Sequence, residues 1–466
     1  MTGAGVRPER RAGSAAAATS PASRPSFRHD FASTTATNLF ISLVNVVTGV
    51  LVARLLNPAG RGELAAILNW PTFLGMLTTL GMTEALVFYP ARQRTRAGRY
   101  LGTGLVVSLS ASAGFVAVGW VLMPVLLAAQ DASVVAGARW YLLQVPVAAV
   151  IGLVIGPLRG IGDVRAWNVL RSVPTLLWLG TLVVFATRGG GRPEPATVAI
   201  SFVAARAVLA PVAVLFVRRR LRQPLRPDLS LAPSLLRFGL PSALAALPTT
   251  LNVRLDQLLI AAFLPPGDLG LYAVAVSWST LSSPVMAAFG NVLFPRVAEH
   301  DDDEARAALA ARGVRTAIML SVVLTTVALL LTPIGLPLLF GHRFDVAVPT
   351  ALVLTVAGAA FGVTSVQQEV LRGLGRPAAV LWSQLAGLAV TVAGLAVTMP
   401  TGGLAWIAMA SVAGYGSAAL ALLVNLVRAT GLPAGAFVLP RPEDLHAVRA
   451  ALPTSIRRRP VRGPLP

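Results

Sequence analysis

Neither a cysteine nor a lysine occurs among the 466 residues, and only 12% of them are charged. Without cysteine there is no disulfide, thiolate nucleophile or cysteine metal site. Without lysine there is no Walker A phosphate loop, kinase-type phosphate lysine or Schiff-base chemistry. The four histidines, His29, His300, His342 and His446, are scattered without ligand spacing, so no metal site is expected. Soluble domains carry about 25% charged residues, roughly twice the level found here, which argues against a cytosolic enzyme. No carboxylate pair, nucleophile elbow or glycine-rich loop after a strand is present, so catalytic residues and cofactors are both expected to be none.

Apolar length is abundant instead. Hydrophobic residues make up 55% of the chain and the mean hydropathy is +0.71. They fall into blocks long enough to cross a hydrocarbon core, which takes about 20 residues. Twelve candidate spans lie at 31–54, 63–90, 99–128, 135–158, 166–187, 195–217, 235–264, 269–295, 314–341, 346–371, 376–399 and 402–428. Many hold internal glycine or proline, tolerable where neighbouring helices re-satisfy the backbone. Residues 1–30 read as a disordered cytoplasmic tail without a signal peptide, and 429–466 as a second polar, cytoplasmic tail. The acidic run 300–304 reads as a solvated loop and helix start rather than a metal site.

The net charge of +20 is carried by arginine alone. With the N-terminus inside, 30 of the 39 arginines fall in cytoplasmic segments, six in outer loops and three within spans. That bias fits the positive-inside rule with both termini cytoplasmic. The basic excess is thus a topology signal and a contact with anionic membrane lipid, and no nucleic-acid partner is needed to explain it.

Two landmarks recur along the chain. Leu56, Pro58, Gly62 and Ala65 match Leu264, Pro266, Gly270 and Ala273 at an offset of 208, and Trp70 falls on Trp278. Leu158-Arg159-Gly160-Ile161-Gly162 is echoed by Leu371-Arg372-Gly373-Leu374-Gly375 at an offset of 213. The chain therefore reads as two six-span lobes, 31–217 and 237–428, joined by a cytoplasmic linker at 218–236. An even number of spans per copy makes the repeat parallel, with its pseudo-twofold axis along the membrane normal. The expected fold is an all-α polytopic membrane protein, V-shaped and working by alternating access.

Charged groups inside spans are costly and usually face a cavity or partner. Arg206 lies in the sixth span, Arg171 near the inner end of the fifth, and Arg254, Asp256 and Gln257 in the outer half of the seventh. On the seventh span Thr249, Asn252 and Asp256 share one helical face, while Thr250, Arg254 and Gln257 share another. Arginine suits an anionic group such as a diphosphate, being planar, bidentate and always charged. Arg171, Arg206 and Arg254 are thus candidate substrate contacts; the alternative is structural pairing with Asp256 for Arg206 or Arg254, and snorkelling toward the inner interface for Arg171. Gln257 and, on the first span, Asn45 are further candidate substrate contacts. Asp256 is a candidate for a coupling proton or cation. Glu84 and Glu369 sit near the inner interface, where a structural role is expected.

The outer-loop pattern Ala53-Arg54-Leu55-Leu56-Asn57-Pro58-Ala59-Gly60-Arg61-Gly62 resembles the end of the first helix in bacterial polysaccharide (O-antigen type) flippases. So do Arg254-Leu255-Asp256-Gln257-Leu258-Leu259 running into Gly270-Leu271-Tyr272-Ala273, Leu293-Phe294-Pro295-Arg296, and Leu371-Arg372-Gly373-Leu374-Gly375-Arg376-Pro377. These flippases are part of the multidrug/oligosaccharidyl-lipid/polysaccharide flippase superfamily. The resemblance implies export of a polyprenyl-diphosphate-linked glycan across the bacterial cytoplasmic membrane. Cavity arginines would hold the diphosphate, a role falling on Arg206 and Arg254. A glycan polymerase or glycosyltransferases of the same pathway would be partners. Twelve spans rather than fourteen speaks against the lipid II flippase branch. The rival expectations are a cation-coupled drug antiporter of the same superfamily and a membrane glycosyltransferase or polymerase.

Overall fold

The computed structural model describes residues 27–188, 191–299, 302–401 and 403–441, and these form a helical bundle. Ten helices among them are long and apolar enough to cross a membrane, or eleven when one bent pair counts as a span. The first of these, Ala32–Arg92, runs for 61 residues. At 1.5 Å per residue it would extend about 90 Å, far more than one bilayer core. It turns back at Asn57, whose backbone is non-helical (φ 60°, ψ −179°) and which precedes Pro58. Divided there it supplies the first two spans, and the total is the expected twelve.

Spans three to seven are Ala97–Leu126, Ala132–Gly160, Val164–Thr187, Pro195–Leu221 and Ala232–Phe263. The eighth is the bent pair Pro266–Ser279 and Ser283–Ala298, and the last four are Asp303–Phe340, Val348–Gly373, Pro377–Thr398 and Leu404–Thr430.

Four boundaries differ from the expectation. Helix begins at Phe27, inside the segment read as a tail; the rest of that tail, and residues 442–466 of the other, lie outside the described residues. The second span breaks at Leu80 and Gly81, both with positive φ. The eighth bends by 44° at its break. The ninth starts eleven residues before the expected 314, because Asp302 caps it by accepting the amides of Glu304 and Ala305. Residues 300 and 301 of the acidic run lie outside the described residues.

The recurrent Leu-Arg-Gly-x-Gly motif is a helix stop. In one copy the Asp163 amide donates to the Leu158 carbonyl at 2.8 Å and the Gly162 amide to Arg159 at 3.2 Å. In the other, Arg376 donates to Leu371 at 2.9 Å and Gly375 to Arg372 at 3.0 Å. This is the Schellman pattern, which needs a left-handed residue in its turn; Gly162 (φ 84°) and Gly375 (φ 74°) supply it. The short motif recurs because both copies must end the fourth and tenth spans in the same way.

The apolar core is one at one end of the bundle and two at the other. Every span contributes to the shared part, from Val52, Leu64, Met123, Tyr141, Leu182 and Phe202 to Ile260, Tyr272, Leu336, Leu354, Leu395 and Ile407. Toward the end bearing the arginine clusters the core divides. Met82, Leu86, Leu101, Leu153 and Val217 belong to one lobe; Leu293, Val314, Val366, Leu371 and Leu422 belong to the other. A V-shaped pair of lobes closed at the arginine-poor end has this core.

On the pseudo-twofold axis at the closed end, Gly62 meets Gly270. A Cβ on Gly62 would fall 1.5 Å from the Pro266 carbonyl oxygen and 2.8 Å from the Gly270 nitrogen. A Cβ on Gly270 would fall 1.9 Å from the Pro58 oxygen and 3.0 Å from the Gly62 nitrogen. These partners interchange at the offset of 208, so the contact is self-complementary. Close backbone approach through glycine is how helices associate where the surrounding lipid offers no hydrophobic drive.

The arginine-rich end is less symmetric. The first turns of the seventh span lean on the N-lobe: Leu235 joins its core, the Phe238 ring stacks on Phe88 at 4.4 Å, and Tyr89 donates to the Ser234 carbonyl at 3.1 Å. The linker is also tied to the N-lobe. The Gly98 amide donates to the Gln223 side chain at 2.8 Å, and the Asp228 amide donates to the Thr103 hydroxyl at 2.9 Å.

Gly62→Ala is expected to cost about 1–3 kcal/mol by overpacking and to lower the thermal unfolding midpoint of the purified protein. Gly114→Ala, where an added Cβ meets nothing within 4 Å, is the control and leaves the midpoint in place or raises it.

Candidate functional site

The seventh span carries its polar residues on two faces, and the structure treats the faces oppositely. Asn252 and Asp256 are buried against the other C-lobe helices, whereas Arg254 is exposed. The Asp256 carboxylate accepts from the Tyr272 hydroxyl at 2.6 Å, the Ser411 hydroxyl at 3.3 Å and the Gln257 amide at 2.7 Å. One turn away, Asn252 accepts from the Thr391 hydroxyl through its side chain and from the Tyr415 hydroxyl through its carbonyl. The eighth, eleventh and twelfth spans therefore converge on this face. Ser411 and Tyr415 are four apart on the twelfth span and so share a helix face. That spacing is the one sequence signal for partners that residue type alone does not reveal.

The Asp256 carboxylate takes three donors and makes no direct ion pair with Arg254 or Arg206. Neither arginine makes an ion pair or hydrogen bond among the described residues. Arg206 lies over the Phe202 ring, 5.3 Å from its centroid, and its buried Nε has no partner. Arg171 differs. It donates to Asn38 on the first span and stacks on Trp167 at 4.2 Å, so it ties the fifth span to the first. Glu369 pairs with Arg372 one turn on, at 2.6 Å.

Three cavities lie between elements of opposite lobes, the third of them, of about 510 Å³, at the arginine-poor end between Arg54, Asn57 and Leu338. One, of about 480 Å³, is lined by Leu80, Glu84 and Phe115 of the N-lobe and Leu240, Leu244 and Leu247 of the seventh span. Arg254 follows Leu247 by seven residues, two helical turns, so it continues this face of the span. The second, of about 440 Å³, lies between the first span and the break in the eighth. Ser42, Asn45, Ser277, Thr280 and Ser283 give it an uncharged polar lining. A larger cavity of about 650 Å³ sits near Pro333, His342 and Asp345 and holds none of the intramembrane polar residues. Among the described residues no group of three or more His, Asp or Glu side chains could hold a metal ion.

The structure thus joins Asp256 to Tyr272, Ser411 and the neighbouring Asn252 cluster, and sets Asn45 on a cavity wall facing the C-lobe. Arg206 and Arg254 stand in different lobes. The side chain of Gln257, half-buried, makes no hydrogen bond among the described residues.

Twelve spans in two lobes, closed at one end around cavities at the lobe boundary, define a two-lobe helical membrane fold. The profile of a family described as polysaccharide biosynthesis protein matches residues 27–300, more than half of the chain, and the chain belongs to that family. No match was found among curated proteins. Among solved structures it is similar to the lipid II flippase MurJ in an inward closed conformation, with a TM-score of 0.73 and 10% identity over 90% of each chain. It is also similar to a multidrug resistance MATE family transporter of the MOP superfamily in an inward-facing conformation, with a TM-score of 0.65 and 18% identity over 85% of this chain and 98% of that one. A third is the eukaryotic MATE transporter AtDTX14, with a TM-score of 0.60 and 14% identity over 91% of this chain and 97% of that one. At these identities the likeness is one of fold, and it confirms the two-lobe architecture expected from the repeat.

Tyr272→Phe removes the shortest hydrogen bond to the buried Asp256 carboxylate and is expected to destabilise the protein by about 1–3 kcal/mol. Arg254→Ala, which removes no such bond, leaves the unfolding midpoint unchanged in the same denaturation series.

Proposed function

We propose that this chain flips a polyprenyl-diphosphate-linked oligosaccharide from the inner to the outer leaflet of the bacterial cytoplasmic membrane. The observation that carries this reading is that Arg206 and Arg254, one in each lobe, have no described carboxylate within ion-pair distance, while Asp256, two residues from Arg254, accepts three hydrogen bonds inside the C-lobe. Unneutralised guanidiniums within membrane spans call for an anion, and a diphosphate matches their donor geometry. The arginine-rich end is cytoplasmic by the positive-inside rule, so the open side of the V faces the leaflet where such lipids are assembled.

The sugar would lie against the uncharged lining of Ser42, Asn45, Ser277, Thr280 and Ser283, with Gln257 as a further amide contact. Hydroxyls and amides match a neutral glycan better than charges would. Arg171 serves this site from behind by fixing the first span through Asn38. Outward movement of the anionic headgroup is assisted by an inside-negative potential, at about 2.3 kcal/mol per charge per 100 mV. Glycan polymerase or glycosyltransferases acting on the same lipid would be its functional partners.

The buried Asp256 carboxylate favours a second reading, a cation-coupled antiporter. In that case Asp256 would carry the coupling proton or cation and the cargo would be an organic cation. The unpartnered arginines weigh against it.

Proteoliposomes holding a fluorescent polyprenyl-diphosphate sugar, with membrane-impermeant quencher outside, separate the two. Protein-dependent loss of the protected inner-leaflet signal is expected, slowed about 10- to 100-fold by Arg254→Ala or Arg206→Ala. That range corresponds to about 1.5–3 kcal/mol for a hydrogen bond to a charged group. No flipping, together with proton- or sodium-driven efflux of a cationic dye, would favour the antiporter.

A further inference from the structure

The closed end is held by a second device besides the glycine pair. Arg54, near the end of the first span, reaches across the lobe boundary to the last turn of the ninth span. Its Nε donates to the Leu339 carbonyl at 2.7 Å and its Nη2 to the Leu338 carbonyl at 2.6 Å. Gln130, just after the third span, reaches across to the end of the seventh. Its Nε2 donates to the Ala261 carbonyl at 3.0 Å and to the Leu264 carbonyl at 2.9 Å. The Ala129 amide adds a bond to the Ala262 carbonyl at 3.2 Å.

The two contacts are related by the repeat. At an offset of 208, Arg54 falls on Ala262 and Gln130 falls on Leu338. One contact joins the ends of spans one and nine, and the other joins the ends of spans seven and three. The same junction is thus made twice about the pseudo-twofold axis with donor and acceptor exchanged. In one the end of the first span donates to the ninth; in the other its repeat mate, the seventh, accepts from the end of the third.

The acceptors make the bonds consequential. The last four carbonyls of a helix have no partner within it, and its C-terminal end carries partial negative charge. A guanidinium placed there is favoured twice over. Among the described residues, these are the side-chain hydrogen bonds that cross between the lobes at this end.

We propose that Arg54 and Gln130 form a two-sided latch that keeps the arginine-poor end shut and that must release when the cavity opens there. A rocking motion of the lobes about the axis separates donors from acceptors on both sides together, so the latch sets the population of the state open at that end. It depends on the two-lobe fold and not on the identity of the cargo.

The native chain contains no cysteine, so spin labels can be placed in it directly. Ser133→Cys and Val346→Cys put one label on each lobe at the arginine-poor end, at exposed positions. Electron–electron distance measurement on the full chain in nanodiscs needs no substrate, so its result stands apart from the flipping assay. Removing one latch is expected to raise the ratio of long-distance to short-distance states about tenfold, equivalent to about 1.4 kcal/mol. Arg54→Ala with Gln130→Met is expected to raise it about a hundredfold, the two sites being independent. Arg54→Lys keeps a cationic donor and is expected to hold the parent distribution. A double variant with the parent's distribution would overturn the proposal, as would Arg54→Lys opening as far as Arg54→Ala. Gln130→Met alone keeps the side-chain volume and carries the same test, at tenfold, should the double variant not fold.

Discussion

Backbone meets backbone where Gly62 faces Gly270, and the shape of the molecule depends on that approach. Each glycine occupies space beside the carbonyl oxygen of the proline four residues before its repeat mate. Because the partners are symmetry mates, a single pair of positions brings all twelve spans into one core at this end. Away from the axis the two copies diverge, the core divides, and space opens between the lobes. A helical membrane protein has little hydrophobic drive to bring its helices together, so close packing through small residues must do it. The repeat concentrates that packing on its own axis.

Polar groups in the spans divide according to whether the protein itself satisfies them. Asp256, Asn252, Thr391, Tyr272 and Ser411 form a connected set inside the C-lobe, in which the Asp256 carboxylate and the Asn252 side-chain oxygen meet donors and the Asn252 Nδ2 is left without a partner. Arg171 is held by Asn38 and Trp167, though its buried Nε has no partner. Arg54 is satisfied by helix-end carbonyls. Arg206 and Arg254 are not satisfied by any described residue. The internal partners account for structure, and the two remaining guanidiniums are what support the proposed anionic cargo. This sorting separates residues that hold the lobes together from residues available to something that enters between them.

Much of the fold was legible because its signals are local. Apolar runs gave the spans to within a few residues, and Gly62, Gly162, Gly270 and Gly375 gave the repeat because each answers a local need for close approach or positive φ. The long first helix, the early start of the ninth span at the Asp302 cap and the leaning of Leu235 onto the N-lobe were not legible, since packing and capping decide them. The site was read in part. Spacing on the seventh span correctly put Asp256 and Arg254 on different faces, but could not name Tyr272 or Ser411, which arrive from helices 16 and 155 positions away. Arg54 and Gln130 read as ordinary residues near a loop, because their acceptors are backbone carbonyls and leave no mark in sequence.

Sidedness of access tests the account most directly. Asn45→Cys and Leu247→Cys, made singly in the cysteine-free chain, place one thiol on the wall of each of the two inter-lobe cavities away from the Arg54 junction. Labelling by a membrane-impermeant maleimide is then compared in inside-out and right-side-out vesicles. A V closed by the Gly62–Gly270 contact gives reaction from the arginine-rich side, the cytoplasmic one by the positive-inside rule, and protection from the other. Reaction from the opposite side alone, or equal reaction from both, would contradict a bundle sealed at the arginine-poor end.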